Sequence, residues 1–262
     1  MVTLLGIPLD ENSSFLEGTR FAPQAIRDAF YATSTNYCTE SGIDLQTDKR
    51  WKDAGDLMLA PMPQAISEIE FAVKNQVEAG NKILCLGGDH SITFPIVKAV
   101  AATHKNLNVL HMDAHADLYD DFEGNPHSHA SPFARIMEHG LAKRLVQVGI
   151  RRLNPHQREQ AKRFGVEIIE MKDGNESKAL SFDGPLYISL DMDALDPAFG
   201  PGVSHHEPGG FSTRQVLNII QNLKANIVGA DIVELNPSRD IHNMTAMTAA
   251  KFVKELLAKM IS

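Results

Sequence analysis

A short, uninterrupted apolar run returns again and again along this chain, and each return ends in a turn or opens onto a helical pattern. The runs are Val2–Pro8, Ile83–Leu86, Leu107–His111, Leu145–Val148, Val166–Ile169, Leu186–Leu190 and Ile227–Ala230. Strands that are apolar on both faces belong to a parallel sheet covered on both sides by helices. Helical periodicity fills several of the gaps: Phe21–Phe30 with Pro23 near its first turn, residues 62–80, Ile92–Thr103 and Ala246–Ile261. In residues 62–80 the apolar face is expected to hold Ala65, Ile66, Ile69, Phe71, Ala72 and Val77. Met244, Met247 and Met260 read as helix packing. The pattern predicts an α/β fold around a parallel sheet of about eight strands. No linker or low-complexity tract divides residues 1–262, so one domain is expected.

Composition removes several function classes. With 25 basic and 33 acidic residues the net charge is −8, which leaves no basic excess for a nucleic-acid backbone. The longest apolar runs are about seven residues, short of the roughly 20 that span a bilayer. The first residues, MVTLLGIPLDENSS, lack a basic n-region and do not read as a signal peptide. Cys38 and Cys85 make no disulfide framework, and free thiols point to a cytoplasmic location.

The acids and histidines gather at four run ends. They are Gly87-Gly88-Asp89-His90-Ser91, His111 to Asp117, Ser189 to Pro197, and Asp231 to Glu234. In open parallel sheets, ligands bind beyond the carboxyl ends of the strands. In extended chain, positions two apart share a side, so Asp113, His115 and Asp117 converge, as do Asp191 and Asp193. Taken singly, each motif could be a solvated turn. Together they gather carboxylates and imidazoles that repel one another and desolvate badly if left empty, and a divalent cation removes that cost. The candidate ligands are His90, Asp113, His115, Asp117, Asp191 and Asp193. Six groups exceed the need of one ion and suit two, about 3.5–4 Å apart, with Asp113 and Asp191 bridging. Carboxylate with imidazole favours Mn²⁺, with Fe, Co or Zn as rivals. Four carboxylates balance two such ions, and an added hydroxide leaves about −1, which favours a cationic substrate. His111 reads as core, or as a group behind the ligands, and Asp89 as a group that orients them.

Three of these stretches, Gly-Gly-Asp-His-Ser at 87–91, Asp-Ala-His-Ala-Asp at 113–117 and Ser-Leu-Asp-Met-Asp-Ala-Leu-Asp-Pro at 189–197, resemble the signatures of the ureohydrolase superfamily of arginases and agmatinases. The resemblance runs from about Leu4 to Ala258. Asn12–Phe15, Phe122–Asn125, Ser128–Ser131, Asp196–Phe199, Pro201–His205, Glu207–Gly210 and Met244–Met247 are most similar to plant-type arginases. It implies an arginase/deacetylase-like α/β fold of three layers, α/β/α, with a mostly parallel eight-stranded sheet, two Mn²⁺ ions, a homo-trimer or homo-hexamer, and hydrolysis of a small guanidino cation to urea and an amine. One ion would be held by His90, Asp113, Asp117 and Asp191, the other by Asp113, His115, Asp191 and Asp193. Asp117 would also hold the attacking hydroxide, Glu234 would pair with the guanidinium, and His129 would shuttle a proton. Around the outer pocket the candidates are Tyr119, Asn125, His127 and Asn154. His127 and His206 depart from the plant pattern, where a Tyr and an aliphatic residue are usual. L-Arginine is the expected substrate; agmatine is the alternative, with guanidinobutyrate and formiminoglutamate also open. A single-zinc deacetylase would share the fold without the second ion's ligands, and a non-catalytic relative would lack ligands that are present here.

Overall fold

The computed structural model describes residues 1–174 and 180–262. Among the described residues, eight strands form one sheet: β1 (Val2–Ile7), β2 (Trp51–Asp56), β3 (Lys82–Gly87), β4 (Asn108–Met112), β5 (Arg144–Ile150), β6 (Glu167–Glu170), β7 (Ser181–Asp191) and β8 (Lys224–Val233). Their order across the sheet is β2-β1-β3-β8-β7-β4-β5-β6, and every pairing is parallel. Seven of these strands coincide with the apolar runs. The exception is β2, whose sequence WKDAGD carries no apolar run. It lies at the sheet edge and is largely exposed, so nothing in its burial demands hydrophobic residues.

Helices cover both faces. On one side, α1 (Ala22–Phe30), α6 (Thr213–Asn222) and α7 (Met244–Ile261) share a core with Leu84 and Leu86 of β3. On the other side, α2 (Gln64–Glu78), α3 (Thr93–Thr103), α4 (Pro132–Glu138) and α5 (Pro155–Phe164) meet Ile83 and Cys85 of the same strand. Alternate residues of one strand thus feed two cores, which is why the central strands read as unbroken apolar runs. Cys85 is buried in that core and Cys38 is exposed, and both are free thiols.

Local rules fix the helix ends. Pro23 sits in the first turn of α1, where its missing N–H costs nothing. Ser212 and Gln215 cap α6 reciprocally. The buried stripe of α2 is Ala65, Ile69, Val73 and Val77, one residue every helical turn. Phe71, expected on that stripe, instead points to solvent and is 67% exposed. Met244 and Met247 are likewise exposed at the start of α7, and only Met260 of the three methionines packs inside.

Candidate metal centre and active site

The four motif-bearing strands are neighbours in space: β3, β8, β7 and β4 stand side by side in that order. Because all run the same way, their carboxyl ends deliver their motifs to one edge. After β3 the backbone presses against residues 7–9, with Gly88 N–H donating to the Ile7 carbonyl at 3.0 Å and Asp89 N–H to that of Leu9 at 2.8 Å. A Cβ on Gly88 would collide with the Leu9 backbone, so only glycine permits this approach. Asp89 then caps the short turn His90–Ile92, accepting from Ser91 N–H at 3.0 Å.

All six candidate ligands come together. His90 Nδ1 lies 3.2 Å from Asp113 Oδ2 and 3.1 Å from Oδ2 of both Asp117 and Asp191, yet it makes no hydrogen bond. Its tautomer is set from behind. Buried Asp231 accepts hydroxyl protons from Tyr187 (2.6 Å), Ser189 (2.7 Å) and Thr93 (2.9 Å). Ser189 has given its only proton to Asp231, so its Oγ, 2.9 Å from His90 Nε2, can only accept there. The proton of His90 therefore sits on Nε2, and a bare Nδ1 lone pair faces three carboxylate oxygens. That arrangement is repulsive unless a cation lies among them.

A second cluster adjoins the first. His115 Nδ1 lies 3.0 Å from Asp193 Oδ2 and 3.4 Å from Asp113 Oδ1. Asp113 thus turns one oxygen to each cluster. Asp191 turns only Oδ2 inward, while its Oδ1 accepts from Asp193 N–H at 2.7 Å. The ligand atoms of His90, His111, Asp113 and Asp117, and separately those of Asp113, His115 and Asp193, all lie within 4.8 Å of one another. His111 stands behind the carboxylate: its Nε2 is 2.7 Å from Asp113 Oδ2 and its Nδ1 accepts from the Gln147 amide at 2.9 Å. This buried His/Asp cluster is able to hold metal.

Electrostatics report the same demand for positive charge. Burial works against the His90 cation, but Asp113, Asp117 and Asp191 outweigh it and raise its pKa well above the usual range. Burial together with Asp193 and Asp113 holds Asp191 well above the carboxylate range. Burial and Asp113 push Asp193 up to about 6. Two of the site's acids also sit on strained backbone: Asp117 has φ 50° and Glu234 has φ 64°, a region that non-glycine residues enter at a cost.

Beyond the cluster opens a cavity of about 480 Å³, lined by Asp117, Asp191, Asp193, His115, His129 and Glu234 among others. Glu234 Oε1 accepts from His90 N–H at 2.8 Å and pairs with His129 Nδ1 at 2.9 Å. Both contacts fall on Oε1. Burial lowers the His129 pKa, but Glu234 outweighs it and lifts the ring to about 9. Tyr119 and Asn154 line the cavity and touch each other, Asn154 Nδ2 donating to the Tyr119 hydroxyl at 2.6 Å. Asn154 is also the N-cap of α5, which ties down its Oδ1.

Asn125 and His127 are not among the cavity-lining residues. Asn125 bridges its loop to Asn12, and His127 stacks over Phe94. His206 turns outward to the Pro201 carbonyl. Ser14, His205, Arg151 and Arg152 are among the cavity-lining residues that spacing did not single out. The His205 ring lies 5.4 Å from that of His129 and 6.0 Å from that of His115. Arg151 clamps the carbonyls of Asp193, Ala194, Leu195 and Glu207, which holds the loop that carries Asp193. Two sequence signals pointed toward His205: the glycine- and proline-rich character of residues 196–210 directly after β7, and the likeness of Pro201–His205 to plant-type arginases.

A family model described as the arginase family matches residues 1–258. "Arginase 1, mitochondrial" of Arabidopsis thaliana is 50% identical over 98% of this chain and 80% of its own length. The solved arginase from Medicago truncatula superposes with a TM-score of 0.94 at 46% identity, covering 99% of this chain and 87% of that one. An agmatinase of Bacillus anthracis is 33% identical over 98% of this chain and 90% of its own length. The expected cytoplasmic location is overturned here: similar arginases of Arabidopsis thaliana, rice and Medicago truncatula are named mitochondrial. Free thiols were a poor guide, since they mark any reducing compartment and not the cytosol alone. Among the described residues, no helix is long and apolar enough to cross a membrane.

Proposed function

This chain belongs to the arginase family of hydrolases, and from that premise we propose that it converts L-arginine to L-ornithine and urea with two Mn²⁺ ions. The observation that carries the metal reading is the bare His90 Nδ1 buried among three carboxylate oxygens. His90, Asp113, Asp117 and Asp191 would hold one ion, and Asp113, His115, Asp191 and Asp193 the other. An oxygen-rich set with two imidazoles and no thiolate fits Mn²⁺. Bound there, the ions supply hydroxide at neutral pH by lowering the pKa of water.

The chain's own groups do the rest. A guanidinium is planar and stays protonated, with a pKa above about 12. Glu234 faces the cavity with Oε1 already committed, so Oε2 is the oxygen that pairs with the substrate. Asp117 orients the attacking water from the cluster side. His129, charged at neutral pH, provides the proton that the departing amine needs. At the outer end, Tyr119 and Asn154 shape the wall, and the exposed Arg152, ion-paired with Glu207 at 2.9 Å, also lines the cavity. Because it is exposed, the Arg152 guanidinium can turn from Glu207 to a substrate carboxylate, which favours arginine over agmatine. We also infer that residues 1–262 act as one domain and that the protein assembles as a homo-trimer or homo-hexamer, to be read by light scattering.

The test is urea release by the Mn²⁺-loaded protein from arginine, agmatine, guanidinobutyrate and formiminoglutamate. Arginine is expected to give the highest kcat/KM, and Arg152→Ala to raise KM for arginine but not for agmatine. Faster turnover of agmatine would replace arginase with agmatinase. Metal analysis showing a single ion at full activity would defeat the two-ion assignment.

A further inference from the structure

His129 has no free nitrogen with which to meet a substrate. Its Nδ1 is held by Glu234, and its Nε2 faces Ser14, with the Ser14 N–H at 3.1 Å and the Ser14 hydroxyl at 2.8 Å. Ser14 is the exposed member of that contact and lines the cavity. Its place is built rather than accidental. Asn12 N–H donates to Asp89 at 3.0 Å, Asn12 Nδ2 donates to Ser91 at 3.0 Å, and His129 N–H donates to the Asn12 carbonyl at 3.2 Å. The loop before Ser14 is therefore pinned both to the turn after β3 and to the backbone of His129 itself.

We propose that Ser14 is a catalytic residue whose hydroxyl relays the proton from His129 Nε2 to the nitrogen of the departing amine. This rests on the guanidino-hydrolase reading above. When the C–N bond of the tetrahedral adduct breaks, its electron pair goes to the departing nitrogen. That nitrogen takes the Ser14 Oγ proton while Oγ takes the Nε2 proton of the His129 imidazolium. The adduct's hydroxyl proton is lost to water as the urea carbonyl forms, and water reprotonates His129. The 2.8 Å hydroxyl contact serves both states of the ring: charged, Nε2–H donates to Oγ and the Ser14 N–H gives up its acceptor; neutral, Nε2 accepts from the Ser14 hydroxyl and from the Ser14 N–H at 3.1 Å. The carboxylate of Glu234 at Nδ1 keeps the charged state populated at neutral pH.

The experiment compares Ser14→Ala and Ser14→Thr with the parent protein, all loaded with Mn²⁺, on two substrates. Arginine expels a basic amine that must be protonated as it leaves, whereas 3-nitrophenylguanidine expels a weakly basic aniline that needs far less help. Ser14→Ala is expected to lower kcat for arginine by about 10²-fold, with KM and metal content little changed. For the aryl substrate its kcat should fall less than about threefold, and Ser14→Thr should restore most of the arginine rate. A structural role would slow both substrates alike, and that result, or an unchanged arginine rate, overturns the relay. A parent protein inert on both substrates would instead defeat the hydrolase reading. The ¹⁵N shift of His129 Nε2 checks the contact without turnover: no change on Ser14→Ala refutes the relay even then.

Discussion

Replacing Ser189 by Ala tests the idea that a buried hydroxyl decides which nitrogen of His90 is bare. Ser189 is fully buried and sits between Asp231 at 2.7 Å and His90 Nε2 at 2.9 Å. Alanine leaves Asp231 two of its three hydroxyl donors, from Tyr187 and Thr93, so the carboxylate stays solvated by the protein. His90 loses its only acceptor at Nε2. A buried N–H left without a partner costs about 1–3 kcal/mol, which for a chain of this size lowers Tm by roughly 2–4 °C per kcal/mol. The ring can escape that cost by moving its proton to Nδ1, toward Asp113, Asp117 and Asp191, but the proton then occupies the place of the cation. Either way Mn²⁺ must do work that Ser189 does in the parent, and a lost partner behind a ligand weakens metal binding by about 10–100-fold. Calorimetric titration of the metal-free protein with Mn²⁺ reads this directly, with a thermal scan of the same material as control. A variant that loses the expected stability yet binds Mn²⁺ as tightly as the parent would refute the tautomer argument. Asp231→Asn should weaken binding in the same direction, because an amide can donate to Ser189 and reverse the relay.

Metal occupancy should also raise stability, in step with the logarithm of the metal concentration. At 100 times Kd one site contributes about 2.7 kcal/mol, so Tm is expected to climb roughly 5–10 °C between chelated and Mn²⁺-saturated protein; a Tm indifferent to Mn²⁺ would count against a cation site. Glu234→Gln keeps an acceptor for His90 N–H and His129 Nδ1–H but removes the charge, so metal content should hold while kcat/KM for arginine drops about 10²-fold or more. The same variant has a pH signature. The His129 pKa is raised from 6.5 to about 9 by Glu234 against the lowering effect of burial, so the stability from this pair is full below about 6.5 and disappears as pH rises through 9. Denaturant melts between those values should show parent stability falling with pH and the variant nearly flat; equal slopes would mean that the pair does not titrate as described.

Legibility in the sequence followed the range over which each cause acts. The seven apolar runs announced seven strands because central parallel strands must be apolar on both faces. Strand β2 escaped because an exposed edge imposes no such demand on WKDAGD. On α2 the contribution of Val73 and the outward turn of Phe71 depend on the helix's rotation against the sheet, which six scattered apolar positions fix only loosely. The ligands were readable because residues two or four apart at a strand end converge with no help from elsewhere. Ser14, His205 and Arg151 act on partners 115, 76 and 42 positions distant or more, and no local pattern carries that information. Asn154 is the opposite case: Asn immediately before Pro is a helix N-cap signal, and the structure uses it as one, so its side chain has less freedom to meet a substrate than the outer-pocket reading assumed.

Why the cluster stands where it does follows from strand order. Chain sequence would bring β4 beside β3, but β8 and β7 lie between them. The turn after β3 therefore has to carry His90 across β8 to reach Ser189 at the end of β7, and it can do so only because Gly88 lets the backbone lie against Leu9. Strands about 4.8 Å apart then set Asp113 and Asp191, from adjacent β4 and β7, close enough to share neighbours. Once those carboxylates are buried at that spacing, positive charge is what satisfies them, and the upward pKa shifts of His90, caused by Asp113, Asp117 and Asp191 against burial, and of Asp191, caused by burial with Asp193 and Asp113, express the same demand. A protonated ligand is a competitor for the metal. Affinity for the cation should accordingly strengthen as pH rises through the range in which Asp193, at about 6, gives up its proton, and Mn²⁺ titrations at pH 5 and pH 8 that returned the same Kd would show that the cage is not held together by the charge balance described.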